Sequence, residues 1–302
     1  MRKGGKPARL KLFAQLEADL RRNVIGKQGV ILCPLCLGEF DLDAAESGLL
    51  TEEHVIPEST GNCEVTLSCK GCNSTLGHEI DEQIARKVRL DRGFKEGTKM
   101  KGRLKWPEGG VPVDFEYRAK ERIHFHVKPT TQKMAESLME RAQQHNSGER
   151  PMRIRLMTGL RRENFLAGVA KAAYLGLFVD RGYSYILLPS LEPIRKAISE
   201  DGVDRSRLSD IIVPCQISRF SELPGAPDRL TFETHSLGGV PVCLSLINLK
   251  NSSGAAWVVL PPGVAPNTGS WDGLARAAEK LHGKDNMEVS IKPDGEVEVR
   301  WL

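Results

Sequence analysis

Cys33-Pro34-Leu35-Cys36, then Thr51-Glu52-Glu53-His54-Val55-Ile56-Pro57-Glu58, then Ser68-Cys69-Lys70-Gly71-Cys72-Asn73: these three strings, in this order, decide how the first third of the chain folds. Each Cys-x-x-Cys pair delivers two thiolates from one turn, and two such pairs make the donor set of a tetrahedral zinc closed to water. An acidic residue beside a histidine lies between the pairs, and an asparagine follows the last cysteine. That arrangement adds candidate acid–base and cation-binding groups to the zinc scaffold.

Working outward, charge is unevenly spread although the net value is only +4. Residues 1–30 hold eight Lys/Arg against Glu17 and Asp19, residues 31–84 hold Lys70 against eleven Asp/Glu, and residues 85–105 hold nine Lys/Arg against Asp91 and Glu96. An acidic centre between basic flanks suits cation binding beside a polyanion such as DNA. Arg86, Lys87, Arg89, Lys99 and Lys101 are the candidate nucleic-acid contacts, and the competing reading of both basic stretches is a solvated helix face.

The 302 residues are 40% hydrophobic and 27% charged, which is ordinary for a globular protein with room for two domains. No apolar run reaches the roughly 18 residues of a membrane span, and the basic start has no apolar core behind it, so a cytoplasmic location is expected. Seven cysteines in such a chain favour metal over disulfides, with Cys63, Cys215 and Cys243 left as packed thiols.

Leu10, Phe13, Leu16 and Leu20 predict an amphipathic helix over 7–24 that lays its apolar stripe on the nuclease core. Gly71 is available for the positive φ of a knuckle turn, and Leu76, Ile80, Ile84 and Val88 form one face of a helix from Asn73 to about 90. Strands are predicted at 111–117 and 122–127, with His124 and His126 on one strand face. Helices follow at 131–145, 163–179 and 191–199, with a strand at 152–157. Further strands are predicted at 210–218, 229–235, 240–248 and 256–260, and a closing hairpin at 287–292 and 296–301 turns on Pro293-Asp294-Gly295.

The string LTEEHVIPES, with CPLC before it and SCKGCNSTLG after it, resembles the HNH endonuclease family in its four-cysteine zinc branch, over roughly residues 30–85. The resemblance implies a ββα-metal finger. Cys33, Cys36, Cys69 and Cys72 would hold a structural Zn2+, and His54 would be the general base that deprotonates a water. Glu53 and Asn73 would hold a catalytic Mg2+ or Mn2+. Histidine suits base work because its ordinary pKa lies near neutrality, and hard cations take oxygen ligands. Asn73 also reads as a helix N-cap.

The chain departs from the family twice. A further ligand four residues after Asn73 would fall on Gly77, and His78 lies one residue beyond, about 100° round the helix. His78 is therefore either a displaced cation ligand, a phosphate contact or helix surface. The residue that orients the base falls on Glu64, with Asn62 or a backbone carbonyl as substitutes.

The expected fold class is α+β. Residues 1–29 form a basic helical arm, 30–95 the ββα-metal nuclease domain and 96–110 a basic linker. Residues 111–302 form a larger α+β domain with antiparallel strands, for recognition of substrate, oligomerisation or a protein partner. That domain shows no P-loop, dinucleotide fingerprint or triad around Ser218 and Ser236. The implied activity is metal-dependent hydrolysis of DNA phosphodiesters, fitting restriction of foreign DNA or a mobile element. The alternative is a non-catalytic zinc module that binds nucleic acid or protein.

Overall fold

A computed structural model describes residues 5–60, 64–96, 99–106, 109–118, 122–127, 131–146, 159–200, 203–216, 231–237, 240–248, 254–262, 270–281, 290–291 and 297–298. In chain order the elements are α1 (Lys6–Asn23), β1 (Val30–Leu32), β2 (Glu39–Asp41), α2 (Leu42–Ser47), β3 (Leu50–His54), β4 (Val65–Cys69), α3 (Lys70–Leu76), a π-turn (Gly77–Asp81) and α4 (Glu82–Glu96). There follow β5 (Met100–Trp106), β6 (Gly109–Arg118), β7 (Arg122–Val127), α5 (Gln132–Asn146), α6 (Arg162–Arg181), α7 (Tyr183–Ile186) and α8 (Glu192–Ser199). Last come β8 (Ile212–Gln216), β9 (Thr231–Leu237), β10 (Val240–Asn248), β11 (Gly254–Leu260), α9 (Trp271–Leu281), β12 (Ser290–Ile291) and β13 (Val297–Glu298).

The fold is α+β with antiparallel strand pairs, and the N-terminal part carries the expected hairpin and helix. The chain divides into two compact units, but not at the expected boundaries. One unit joins Met1–Val88 to Arg161–Gly283, and the other joins Arg89–Leu160 to Lys284–Leu302. The reason is packing. A single core takes in Cys33, Leu35, Val55, Ile56, Leu76, Ile80 and Ile84 of the finger together with α6, α8 and the sheet of order β8-β11-β10-β9. A finger this small has too little apolar surface to close a core alone, and here α6, buried from Leu166 to Phe178, supplies it.

Gly168 lets α6 come close. A Cβ there would lie 2.9 Å from Ile84 Cγ1 and 3.2 Å from the Ile80 carbonyl oxygen. Aromatic side chains of α6 and α7 hold the first knuckle: Tyr174 Oη donates to Pro34 O at 2.8 Å, and Tyr183 Oη donates to Leu32 O at 2.6 Å. On the opposite side of the hairpin, Phe13 of α1 packs with Ile31, Ala44, Ala45, Leu50 and Leu67 in a second cluster. The amphipathic stripe of α1 thus covers the finger as expected, and Asp19 also accepts the Tyr183 N–H at 2.7 Å.

In the second unit, β5, β6 and β7 form one antiparallel sheet, with β6 central. The expected linker 96–110 therefore contains a paired strand. Met100, Gly102, Leu104 and Trp106 alternate with Lys101, Arg103 and Lys105, a period of two that the glycine and the charges disguise. His126 is exposed and opposite Asp114 in the ladder, and His124 is opposite Glu116. The predicted helices at 131–145, 163–179 and 191–199 correspond to α5, α6 and α8, and the strands from 210 on to β8 through β11. The closing hairpin pairs Ser290 with Glu298 and Ile291 with Val297. The predicted strand 152–157 and the turn 293–295 lie outside the described residues, while α2, α7 and α9 were not anticipated.

Two glycines test this packing in opposite directions. Gly168→Ala is expected to lower the melting temperature, because overpacking costs about 1–3 kcal/mol and outweighs the helix-propensity gain of about 1 kcal/mol. Gly77→Ala is expected to raise it, since Gly77 has helical φ −58° and a Cβ there would meet nothing within 4 Å. Thermal unfolding of the two variants beside the parent checks both signs.

Candidate functional site

The knuckles close as the sequence requires. The first turns through Leu37, at φ 57°, with the Leu37 N–H donating to Cys33 O at 2.8 Å. The second lies in the first turn of α3, so Gly71 is helical rather than left-handed. Four sulfurs result, all within 4.8 Å of one another. Cys36 Sγ and Cys69 Sγ are 3.9 Å apart, and tetrahedral thiolates at a Zn–S length of about 2.3 Å would be about 3.8 Å apart. Backbone donors already face them: Gly38 N–H to Cys36, Cys69 N–H to Cys33 and Cys72 N–H to Cys69, each at 3.4 Å. Such N–H···S contacts orient and stabilise thiolates.

The crowded thiols split in acidity. Hydrogen bonding with Cys33 is the main cause that holds Cys36 low and brings Cys69 down to about 6. The same contacts push Cys33 up, chiefly through Cys36, and Cys72 up, chiefly through Cys33. Whatever protons the four thiols carry are what a cation displaces on binding. Cys69 Sγ also caps α3, so Asn73 is inside the helix and not its N-cap.

β3 and β4 pair antiparallel, Leu50 with Cys69 through His54 with Val65. Strand alternation places Thr51 and Glu53 on one face and Glu52 and His54 on the other. Asn73 ties the helix to the first face, its Nδ2 donating to Thr51 Oγ1 at 2.9 Å and to Glu52 O at 2.8 Å. Both amide hydrogens are thereby used, and only Oδ1 is left as an acceptor.

Glu53 is 1% exposed and contacted on both carboxylate oxygens. Its Oε1 lies 2.6 Å from Lys171 Nζ, and its Oε2 accepts the Ser68 hydroxyl at 2.9 Å. Lys171 Nζ also donates to Asp81 Oδ2 at 2.6 Å. Burial, the largest influence on Lys171, works to lower its pKa, and the two carboxylates outweigh it and raise the value. Asp81 is raised, first by burial and further by Glu53, against the opposing pull of Lys171 and a smaller one from His54. Lys171 thus keeps its charge in the core because two carboxylates face it. Removing one member of such a buried set costs about 3–5 kcal/mol.

The expected cation ligands are therefore not assembled. Glu53 is turned onto an ammonium, Asn73 onto β3, and His78 is exposed in the π-turn. Within Gly77–Asp81 the Glu82 N–H reaches back five residues to Gly77 O, so the helix carries one extra residue. Among the described residues the four cysteines are the only group of three or more His, Cys, Asp or Glu side chains near enough to share an ion. As they stand, Glu53 is committed to Lys171 and Ser68, His78 is exposed, and Asn73 keeps only Oδ1 to offer a cation. Glu52 is different: its Oε1 is buried with no hydrogen-bond partner among the described residues.

His54 closes β3 half-exposed, at the edge of this buried set. Glu64 is exposed beside it, and its carbonyl accepts the Val55 N–H at 3.0 Å. Asn62 and Cys63 lie outside the described residues, and Cys243 is a buried free thiol. Of the candidate DNA contacts, Arg86 pairs with Glu82 at 3.4 Å and Lys87 is buried. In the other unit Lys99 pairs with Asp114 at 3.5 Å, while Arg89 and Lys101 are exposed.

Lys171 and Asp81 are the site residues that the sequence reading missed. The available signal was a lone lysine inside the apolar run ENFLAGVAKAAYLGLFV. No helix among the described residues is long and apolar enough to cross a membrane.

Residues 33–89 match the family model of the HNH endonucleases. No curated protein and no solved structure gives a significant match. The matched segment contains both knuckles, Glu53, His54, Asn73 and the π-turn, so the resemblance drawn from the motifs covers the same stretch.

The four-sulfur site has a direct check. The purified chain is expected to carry one zinc, and Cys36→Ser to lose most of it and melt at lower temperature. Metal analysis and thermal unfolding of the two proteins measure this.

Proposed function

We propose that the chain is an HNH-type endonuclease that hydrolyses DNA phosphodiester bonds, with His54 as the general base. The observation that carries this reading is the placement of His54. It ends the first strand of a β-hairpin that runs directly into the cysteine-capped helix, and it stays half-exposed while its neighbour Glu53 is buried. A half-exposed imidazole can reach a water aligned on a phosphate, and the zinc-bound knuckles would fix the strand that carries it.

Zinc at Cys33, Cys36, Cys69 and Cys72 would be structural, since four thiolates leave no position for water. The basic residues Arg89 and Lys101 are proposed to contact the DNA backbone. Restriction of foreign DNA fits this activity. No step is assigned to a second cation, because Glu53 is held by Lys171 and Ser68.

That same commitment of Glu53 favours a second reading, a zinc module that binds nucleic acid without cutting it. Cleavage separates the two. Zinc-loaded protein incubated with supercoiled plasmid and Mg2+ or Mn2+ is expected to nick it. His54→Ala is expected to lower the rate at least about 100-fold, the usual scale for a general base, with zinc content and melting temperature unchanged. Plasmid binding without nicking under every metal would favour the binding module, and nicking by His54→Ala at the parental rate would remove His54 from the mechanism.

A further inference from the structure

We propose that Lys171 is a built-in counter-cation that fills the acidic centre between Glu53 and Asp81, so that the finger takes zinc at its cysteines and no second divalent ion at Glu53. The inference concerns occupancy of that centre and holds whether or not the chain cuts DNA.

The geometry is that of a filled ion site. Lys171 Nζ lies 2.6 Å from Glu53 Oε1 and 2.6 Å from Asp81 Oδ2, at the short end of charge-assisted contacts. The second oxygen of Glu53 is taken by Ser68 Oγ at 2.9 Å. With an ammonium on one oxygen and a hydroxyl on the other, the Glu53 carboxylate is contacted on both oxygens, and at 1% exposure it has no open face toward solvent from which a hydrated cation could approach.

Solvation leads to the same conclusion. The side chains of Lys171 and Glu53 are 1% and 2% exposed, while that of Asp81, on the outer side, is 19% exposed. Mg2+ and Mn2+ keep several of their waters when they bind one or two carboxylates, and the Glu53 side of the centre is too closed to take those waters while the ammonium is there. The ammonium needs less: two of its three donors are already met by Glu53 and Asp81.

Displacement is also blocked by where the lysine is anchored. Lys171 stands midway along the buried stretch of α6, with Ala170 and Ala172 at 0% exposure on either side of it in the chain. Released from Glu53 and Asp81, its ammonium would remain in the apolar core without a partner, a state proteins avoid. Asp81 comes from the π-turn and Glu53 from β3, so one side chain of α6 satisfies carboxylates from both halves of the finger.

The test is Mn2+ binding to the zinc-loaded full-length chain, read by loss of the electron paramagnetic resonance signal of free Mn2+. Wild type and Glu53→Gln are expected to bind alike, with no Mn2+ held at Glu53 below about 1 mM, a weak-site threshold. Lys171→Met keeps the length of the side chain and removes its charge. It is expected to gain one Mn2+ per chain, at least about tenfold tighter than any binding by wild type, and to lose it again in Lys171→Met with Glu53→Gln. Mn2+ is expected to raise the melting temperature of Lys171→Met and leave that of wild type in place. If Lys171→Met does not fold, the comparison of wild type with Glu53→Gln decides alone. A wild-type Mn2+ site that Glu53→Gln removes would overturn the proposal, as would a folded Lys171→Met protein that binds no Mn2+.

Discussion

One buried ammonium organises this structure. Lys171 lies in the middle of a helix whose other buried residues are apolar or aromatic, and a charge in that position must be met by opposite charge or be expelled. Glu53 and Asp81 meet it at 2.6 Å each. Because one carboxylate is on β3 and the other on the turn after α3, the contact fixes α6 against both at once. Apolar packing alone would tolerate sliding of α6 along the finger, whereas two short ionic contacts do not. The stabilisation lies mainly in specificity, since a well-packed apolar set of the same volume would hold about as well.

The finger is consequently held from two sides by different physics. The four sulfurs link the knuckles to each other, and zinc there would supply folding energy directly. Tyr174 and Tyr183 grip the carbonyls of Pro34 and Leu32, which ties the first knuckle to α6 and α7 independently of the metal. Asp19 adds the N-terminal helix by accepting the Tyr183 N–H. Gly182, at φ 68°, is required there, because a Cβ would overlap the Asp19 carboxylate. Two segments distant in sequence, α1 and α6–α7, thus converge on one knuckle, and residues 161–283 belong to the same compact unit as the finger.

The local parts of this arrangement were legible in the sequence. Paired cysteines at fixed spacing, an acidic residue beside histidine and helical spacing of Leu76, Ile80, Ile84 and Val88 are short-range signals, and the structure contains each. What was not legible depends on long-range pairing. Lys171 is about 90 residues from Asp81 and further from Glu53, so spacing could not link them, although a lysine within an alanine-rich apolar helix asked for a partner. The division of the chain was misplaced for the same reason. The stretch 96–110 looks like a basic linker when read locally, and only the ladder to β6 shows Met100–Trp106 as a strand.

The π-turn connects the readable half of the site to the unreadable half. Apolar residues four apart drift by about 40° per step on a straight α-helix, so the row from Leu76 to Val88 would rotate away from α6 unless the helix were locally widened. One residue held in an i→i+5 turn at Gly77–Asp81 accomplishes that, and a widened turn needs outside partners for its polar groups. Asn164 donates to Glu79 O at 3.1 Å, and Arg205 reaches both Asn164 and the Glu79 carboxylate. The turn that leaves His78 in solvent also carries Asp81 to Lys171. The one-residue displacement seen in the motif is therefore no simple loss of a ligand. It belongs to a rearranged helix in which a carboxylate, paired with a lysine from another part of the chain, faces the acidic residue of the finger.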